Sequence, residues 1–270
     1  MTSASGLQYG AGFRCGIAFE IDQTTGRLKG TSPSIPYMGV RFVGAKSWNL
    51  NIPKQRRIFH TDADRVGAAD FLPPTETAGA TIAVSADNMD LDAILTGNKK
   101  TALGEAVSMA VLSSNQGYEP LIALHLWQQS LDTSSRLRTW RSWLVPRAKA
   151  VPMDSGFADK EVDGQYDVMM TPSSTNIFGV NLSTSFDGAT DSQLFKTMTQ
   201  GRPAIAAWLA DGYTTEFTFP VGYTPAISAA KVAVYVNGVL KSSGITVTTT
   251  KVTFDVAPLA NDDVDIFWEY

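Results

Sequence analysis

The sequence predicts a mainly β protein, and three observations carry that expectation. Residues 214–270 alternate apolar and polar positions almost without interruption, the period of a strand with one covered face. Residues 118–130 (YEPLIALHLWQQS) and 135–150 (SRLRTWRSWLVPRAKA) are long strand-like runs joined by the turn-forming LDTS. Helix start and stop signals occur around only two short segments. The expectation is a β fold with one or two helices, ending in a small β-sandwich.

Taken in order, residues 1–35 are rich in Gly, Ser and Thr and show little periodicity. They read as an N-terminal arm or lead-in whose apolar pieces, 15–19 and 35–38, could dock on another element. From 39 to 51 a strand is expected, because Val40, Phe42, Trp48 and Leu50 share one parity. IPKQRRIFHTDADRVGAADFLPP (52–74) then interrupts the pattern with charges, a double proline and no clean period. A connection longer than about twelve residues without its own structure usually has a task. This one sets Lys54, Arg56, Arg57 and Arg65 against Asp62, Asp64 and Asp70.

ATIAVSA (80–86) reads as a strand leading into a helix with Asp87 as N-cap and Asp90 and Asp92 in its positive first turns. Leu91, Ile94 and Leu95 supply its apolar face, and Gly97 stops it. Residues 102–112 fit helix or strand, and 164–172 and 176–183 fit strands. A second helix is expected over 191–200, where Thr190 and Gln193 form a capping box, Leu194, Phe195 and Met198 a face, and Gly201 and Pro203 an end.

In the final block Val232, Val234 and Val236 lead into the Asn237-Gly238 turn of a hairpin. Val252, Phe254 and Val256 oppose Lys251, Thr253 and Asp255, while Val264, Ile266, Trp268 and Tyr270 oppose Asp265 and Glu269. Three lysines face six acidic residues there. These shifts of texture divide the chain into an arm (1–35), a larger β domain (36–212) and a small β-sandwich (213–270).

Composition narrows the function. A chain of 270 residues with 44% hydrophobic and 18% charged residues can bury a sizeable core. A net charge of −4 argues against an extended nucleic-acid-binding surface. The single cysteine, Cys15, excludes an intramolecular disulfide framework. Neither a signal-peptide pattern nor an apolar run near eighteen residues occurs, so synthesis in a cytoplasm without membrane insertion is expected.

Motifs of chemistry are scarce. GAGFRCG (10–16) has a dinucleotide-like spacing without the strand and helix that such a loop needs. TGNKKT (96–101) lacks the upstream glycine of a phosphate loop, and reads as a helix end with Lys99 and Lys100 beside the last carbonyls. SADNMDLD (85–92) misses the Gly and Glu of a calcium loop, so helix capping explains its acids. ANDDVD (260–265) reads as a solvated acidic turn, with a weak cation site as its alternative. His60 and His125 are far apart, and His125 sits in an apolar strand with no second ligand nearby. No catalytic residue, cofactor or metal site is expected; a β-sandwich hydrolase would need a deep cleft with convergent carboxylates, to which nothing here points.

RLRTWRSWLVPRAK (136–149) mixes cations and tryptophans as single-stranded nucleic-acid surfaces do. On one regular strand Arg136 and Arg138 would share a face, with Arg141 and Arg147 on the other. Arg and Trp are also enriched at protein–protein contacts. The pattern favours a subunit contact through Arg138, Trp140, Arg141 and Trp143 over nucleic acid.

The C-terminal block resembles a small immunoglobulin-like β-domain that recurs in virion proteins of tailed bacteriophages. The matching pieces are the opening FTFP (217–220), the VAVYVNGV hairpin (232–239), the VTFDVAP strand (252–258) and the terminal DVDI (263–266). The chain departs from that pattern at Asn261-Asp262, where Gly-Asp is usual. The order of elements upstream resembles the tail tube (major tail) proteins of long-tailed phages. That resemblance implies a β-sandwich or half-barrel tail-tube domain with flanking helices, no enzymatic activity, and polymerisation with itself as stacked, usually hexameric, rings. It implies a place in the virion tail after assembly in the host cytoplasm, contact with other tail proteins at the tube ends, and transient, non-specific passage of DNA. It also implies that residues 52–77 reach the neighbouring ring, with Lys54, Arg56, Arg57 and Phe59 as contacts. The rival reading is a fibre, baseplate or capsid-decoration protein touching a host surface weakly through residues 213–270. An exposed aromatic platform of Tyr213, Tyr223, Trp268 or Tyr270 would favour it.

Overall fold

Alternating side chains and turn chemistry produce twenty strands and one helix among the residues that the computed structural model describes. Those residues are 8–43, 45–51, 56–62, 65–72, 79–84, 89–97, 99–103, 107–111, 120–132, 138–152, 156–157, 162–170, 195–199, 201–225 and 231–270. The largest sheet is antiparallel throughout. Its order is β2 (Val40–Val43), β1 (Gln8–Glu20), β9 (Ile122–Asp132), β10 (Arg138–Pro152), β12 (Val162–Met170), β6 (Gly79–Val84) and β3 (Ala45–Asn51). Its two edges, β2 and β3, are separated by a single residue. Neighbouring Cα atoms lie about 3.8 Å apart, so the edges have to meet. One run of chain pairs with β1 through its first half and with β6 through its second, and the sheet curls into a barrel.

Strand periodicity then sorts the side chains. Ala18, Phe42, Ile82, Val84, Ile122, Leu124, Leu126, Val145, Ala148 and Ala150 fill the interior, with Trp48 and Val40 packed against them. Val40, Phe42 and Trp48 thus share a covered face, as their common parity predicts. Leu91 and Leu95 of α1 (Met89–Thr96) are buried in the same core, so the helix lies against the barrel's apolar lining. Its end is the expected one: Gly97 takes a φ of 73° and its N–H donates to the Ala93 carbonyl at 3.0 Å. The alternate residues Ile17, Phe19, Ala123, Trp127 and Leu144 face outward, yet they are buried too.

What covers them is a separate C-terminal β region. A four-stranded sheet runs β14 (Pro203–Leu209), β20 (Asp263–Glu269), β16 (Ala233–Val236), β17 (Val239–Leu240), and a three-stranded sheet runs β15 (Glu216–Thr218), β19 (Lys251–Phe254), β18 (Ile245–Val247). Between the sheets lie Trp208, Phe217, Phe219, Val234, Val252, Phe254, Val264, Ile266 and Trp268. Each such side chain contributes roughly 1.5–3 kcal/mol through burial. Edge-to-face rings link Trp208 to Phe217 and Phe217 to Phe254. The Asn237-Gly238 hairpin has φ of 51° and 75°, the two positive values of a type I′ turn. Asn261, where the resembling pattern has glycine, is left-handed at 70°, a conformation that asparagine tolerates.

Several expectations are corrected. Residues 8–20 are no lead-in but β1, paired with β9 along its length and with β2 over 15–18, and GAGFRCG lies in this extended strand. The helix expected over 191–200 is instead β13 (Phe195–Thr199), which pairs with the 140–144 stretch of β10. An unpaired neighbour in a long strand outweighs a local helical pattern. Of residues 102–112 those described are strand: β7 (Lys99–Leu103) and β8 (Val107–Val111) pair antiparallel, so Lys99 and Lys100 begin a strand. The unperiodic stretch 52–74 contains a second hairpin, β4 (Arg56–Asp62) with β5 (Arg65–Leu72). β14 pairs with β20 along its length, so the C-terminal region begins ahead of the boundary expected at 212. Asp87 and residues 176–183 lie outside the described residues, and β11 (Gly156–Phe157) pairs with β12.

Gly39 enters β2 at a φ of +68°, and a Cβ there would stand 2.5 Å from the Ala18 carbonyl oxygen. Gly39→Ala should cost about 1–3 kcal/mol through combined strain and collision. Denaturant titration of the two proteins checks this, and an unchanged midpoint would refute it.

Candidate assembly surface

The chemistry-bearing candidates distribute over three places. The first is the β4–β5 hairpin. It forms its own two-stranded sheet, and among the described elements its substantial contacts are between its own strands. Arg57 stands opposite Phe71, Phe59 opposite Ala69, and Asp62 opposite Arg65, with an irregularity between Phe59 and Thr61. Arg56, Arg57 and Phe59 therefore occupy one strand of a hairpin, whereas Lys54 lies outside the described residues. A lone two-stranded ribbon is marginally stable, and both its outer edges carry backbone donors and acceptors that pair readily with another chain.

The second is β10. Trp143 packs against the barrel interior, with the Arg141 guanidinium 5.9 Å from its ring centroid. Trp140 points the other way, into the core shared with the C-terminal region, and Arg202 lies over it at 5.2 Å. These two tryptophans are thus half-buried on opposite faces of one strand by the chain's own residues. For Arg138 only the backbone position in β10 is described. The expected sharing of a face by Arg141 and Arg147 fails. Between Val145 and Ala148 the register with β9 shifts by one residue, and the parity inverts, so Arg147 lies opposite the inward Ala148.

The third is the C-terminal region. Of the four aromatics proposed as a platform, Trp268 is buried in the sandwich and its indole N–H donates to the Tyr223 carbonyl. Tyr223 and Tyr270 meet in a tilted ring contact, half-buried, with centroids 4.9 Å apart. Tyr213 alone of the four is strongly exposed, at 89%. β14, β15, β16, β19 and β20 bring Tyr213, Val256 and Leu259 to the same end of the sandwich, all exposed. Asp211 is exposed at that end, and three hydrogen bonds from Tyr213 and Thr214 hold its carboxyl below the usual range.

Sequence reasoning missed one polar cluster. The Arg27 guanidinium donates to Asn237 Oδ1 at 2.8 Å and to Asp263 Oδ2 at 3.2 Å. The Asp263 N–H donates to Asn237 Oδ1 at 3.1 Å, and Asn237 Nδ2 donates to Asp262. Asp265 lies two residues further along β20 and is completely buried. The run 260–265 is thus exposed at Ala260 and Asn261, half-buried at Asp262, and buried at Asp263 and Asp265. The signals of that burial were the run 204–210, apolar at both parities, and Phe267 standing among the polar positions of the last strand.

Among the described residues no group of three or more His, Cys, Asp or Glu is arranged to hold a metal ion, and no helix is long and apolar enough to cross a membrane. No protein-family model matches the chain, and searches of curated proteins and of solved structures return no significant match.

His60 lies on β4, and His125 is buried on the outward face of β9 with its ring 5.2 Å from that of Trp127. Among the described residues its Nδ1 has no hydrogen-bond partner, and burial pulls the imidazole down to about 4 from the ordinary 6.5. The unfolded chain therefore binds more protons between those values. The stability concerned is complete above pH 6.5 and is lost as pH falls through 4, about 3 kcal/mol in all. The difference in unfolding free energy between wild type and His125→Gln should change by about that amount from pH 7 to pH 4. A constant difference would refute the linkage.

Proposed function

We propose that this chain is a structural subunit of a tailed-phage particle, assembling with itself as stacked rings into the tail tube through which DNA passes. The observation that carries the reading is the β4–β5 hairpin. The large sheet closes on itself, whereas among the described elements this ribbon pairs only within itself and, unlike the β7–β8 hairpin, makes no substantial contact with α1. A ribbon of that kind gains its missing partners when a neighbouring copy supplies a surface or a strand. The cations of the hairpin and its flank, Lys54, Arg56 and Arg57, together with Phe59, are the contacts assigned to the next ring. The mainly β architecture and the separate C-terminal sandwich are compatible with this role, which requires no turnover, cofactor or metal.

A second reading keeps the particle and changes the component: a fibre, baseplate or capsid-decoration protein that touches a host surface. The exposed apolar end of the sandwich, with Tyr213, Val256 and Leu259, favours it. Negative-stain imaging of the purified protein distinguishes the two. Hollow tubes or stacked rings are expected, and persistent monomers or isolated trimers would count against the tube.

Deletion of 52–77 with a short linker should leave the melting transition cooperative while abolishing tube growth. Normal elongation by that variant would overturn the assignment of the hairpin.

A further inference from the structure

The outward face of β20 is covered. Val264, Ile266 and Trp268 point into the sandwich, so Asp263, Asp265 and Phe267 point away from it, towards the barrel. There Phe267 packs with Ile17, Phe19, Leu28, Ile205 and Ala207, and Arg27 reaches across to Asp263. Backbone bonds stitch the same seam: the Tyr37 N–H donates to the Ala207 carbonyl at 2.7 Å, and the Ala207 N–H donates to the Tyr37 carbonyl at 3.0 Å. Asp265 is paired in register with Ala207 on one side and Tyr235 on the other. It is 0% exposed, and among the described residues neither carboxyl oxygen has a hydrogen-bond partner.

An ionised carboxylate in such a place costs several kcal/mol or more, and a protonated one far less. Few charged or titratable groups face it among the described residues. Asp263 stands on its own strand, Arg27 comes from the turn after β1, and the Tyr235 phenol lies on β16, while β14 offers only Ala207. Asp22 and Asp262 act one step further out, on Asp263. The one cation, Arg27, is already committed to Asn237 and Asp263. Burial first, and then the Asp263 carboxylate, raise the Asp265 carboxyl well above its ordinary value, with Arg27 opposing.

We propose that docking of the C-terminal sandwich onto the barrel is proton-linked: the seam closes with one proton held on Asp265 and opens as that proton is lost. The sign follows from linkage. With the seam open Asp265 is hydrated and titrates near the ordinary 3.8, whereas closed it holds its proton to higher pH. The closed state binds more protons throughout that interval. Closure is therefore most favourable below pH 3.8 and is lost as pH rises, on the order of tenfold in the opening constant per pH unit until the buried carboxyl ionises. The device is independent of what the particle does, and it makes the attachment of the two parts conditional on pH.

Hydrogen exchange at the Tyr37 and Ala207 amides reads the seam, and the Val252 and Phe254 amides inside the sandwich serve as controls. Protection factors are compared between wild type and Asp265→Asn from pH 4 to pH 9. His125 titrates in both proteins, so their ratio isolates Asp265. The expected result is a ratio at Tyr37 and Ala207 that changes about tenfold per pH unit over part of the range, with wild type losing protection faster, and no such trend at the controls. A ratio independent of pH would overturn the proposal, as would an equal trend at the controls, which would mean global unfolding. Should the Asn variant not fold, Asp265→Leu, equally unable to titrate, carries the same two outcomes.

Discussion

Closure of the large sheet is the constraint on which the rest depends. Residues 40–51 serve as both of its edges, pairing with β1 before position 44 and with β6 after it. Any rearrangement that released this run would expose two rows of backbone donors and acceptors at once, and would unroof an apolar interior that includes Phe42 and the two helical leucines. Closure also fixes which side chains face outward. Once Ala18, Leu124 and Val145 are inside, Ile17, Phe19, Ala123 and Trp127 have to be outside, and a second covering is needed for them.

The C-terminal sandwich supplies that covering, which explains why it is no loosely tethered module. Ile205, Ala207 and Phe267 leave its outer face to complete the barrel's outer core. Gly30 shows how close the approach is. A Cβ there would lie 2.6 Å from the Trp208 carbonyl carbon, and backbone cannot yield as a flexible side chain can. The seam combines a dry apolar centre with a polar corner at Arg27, Asn237 and Asp263, and Asp265 is the member for which that corner has no donor left. Buried polar groups that are only partly satisfied are costly in proportion to how dry their surroundings are.

Much of the fold was legible because it rests on local pattern. The paired valines and Asn-Gly turn of 232–239, the alternation of 251–254 and the glycine stop at Gly97 all behave as their chemistry dictates, whereas Val256 lies beyond β19 and is exposed. What was illegible depends on partners distant in sequence. Residues 8–20 lack strand periodicity on paper because bulges break their register with β9 between Gly10 and Cys15. The capping box at 190–193 pointed to a helix, yet β10 needed a neighbour along 140–144. The hairpin within 52–74 has no period, and among the described elements its substantial contacts are between its own two strands. As for the candidate contacts, sequence chemistry selected Trp140 and Trp143 by residue type, and only the pleat separates them to opposite faces, each against a core of its own.

Asp265 illustrates a general limit of alternation. A strand reading apolar–polar–apolar suggests one wet face, here that of Asp265 and Glu269. Glu269 fits in part: its side chain keeps 18% exposure and pairs with Lys231 at 2.7 Å near the strand's end. Asp265, four residues earlier on the same face, is fully covered. Asp265 is covered because the barrel overlies the strand from Asp263 to Phe267, beside Arg27, Leu28 and Ile17. A single face can thus be wet at one end and dry at the other, and the sequence marks the dry part by Phe267 between the two acids. Nor is the Asn-Gly turn merely local. Asn237 takes its φ of 51° to reverse the chain, and its side-chain oxygen accepts from both Arg27 and the Asp263 N–H. A glycine there would keep the turn and lose the tie to the seam. Turn chemistry and inter-sheet attachment are joined in that one residue.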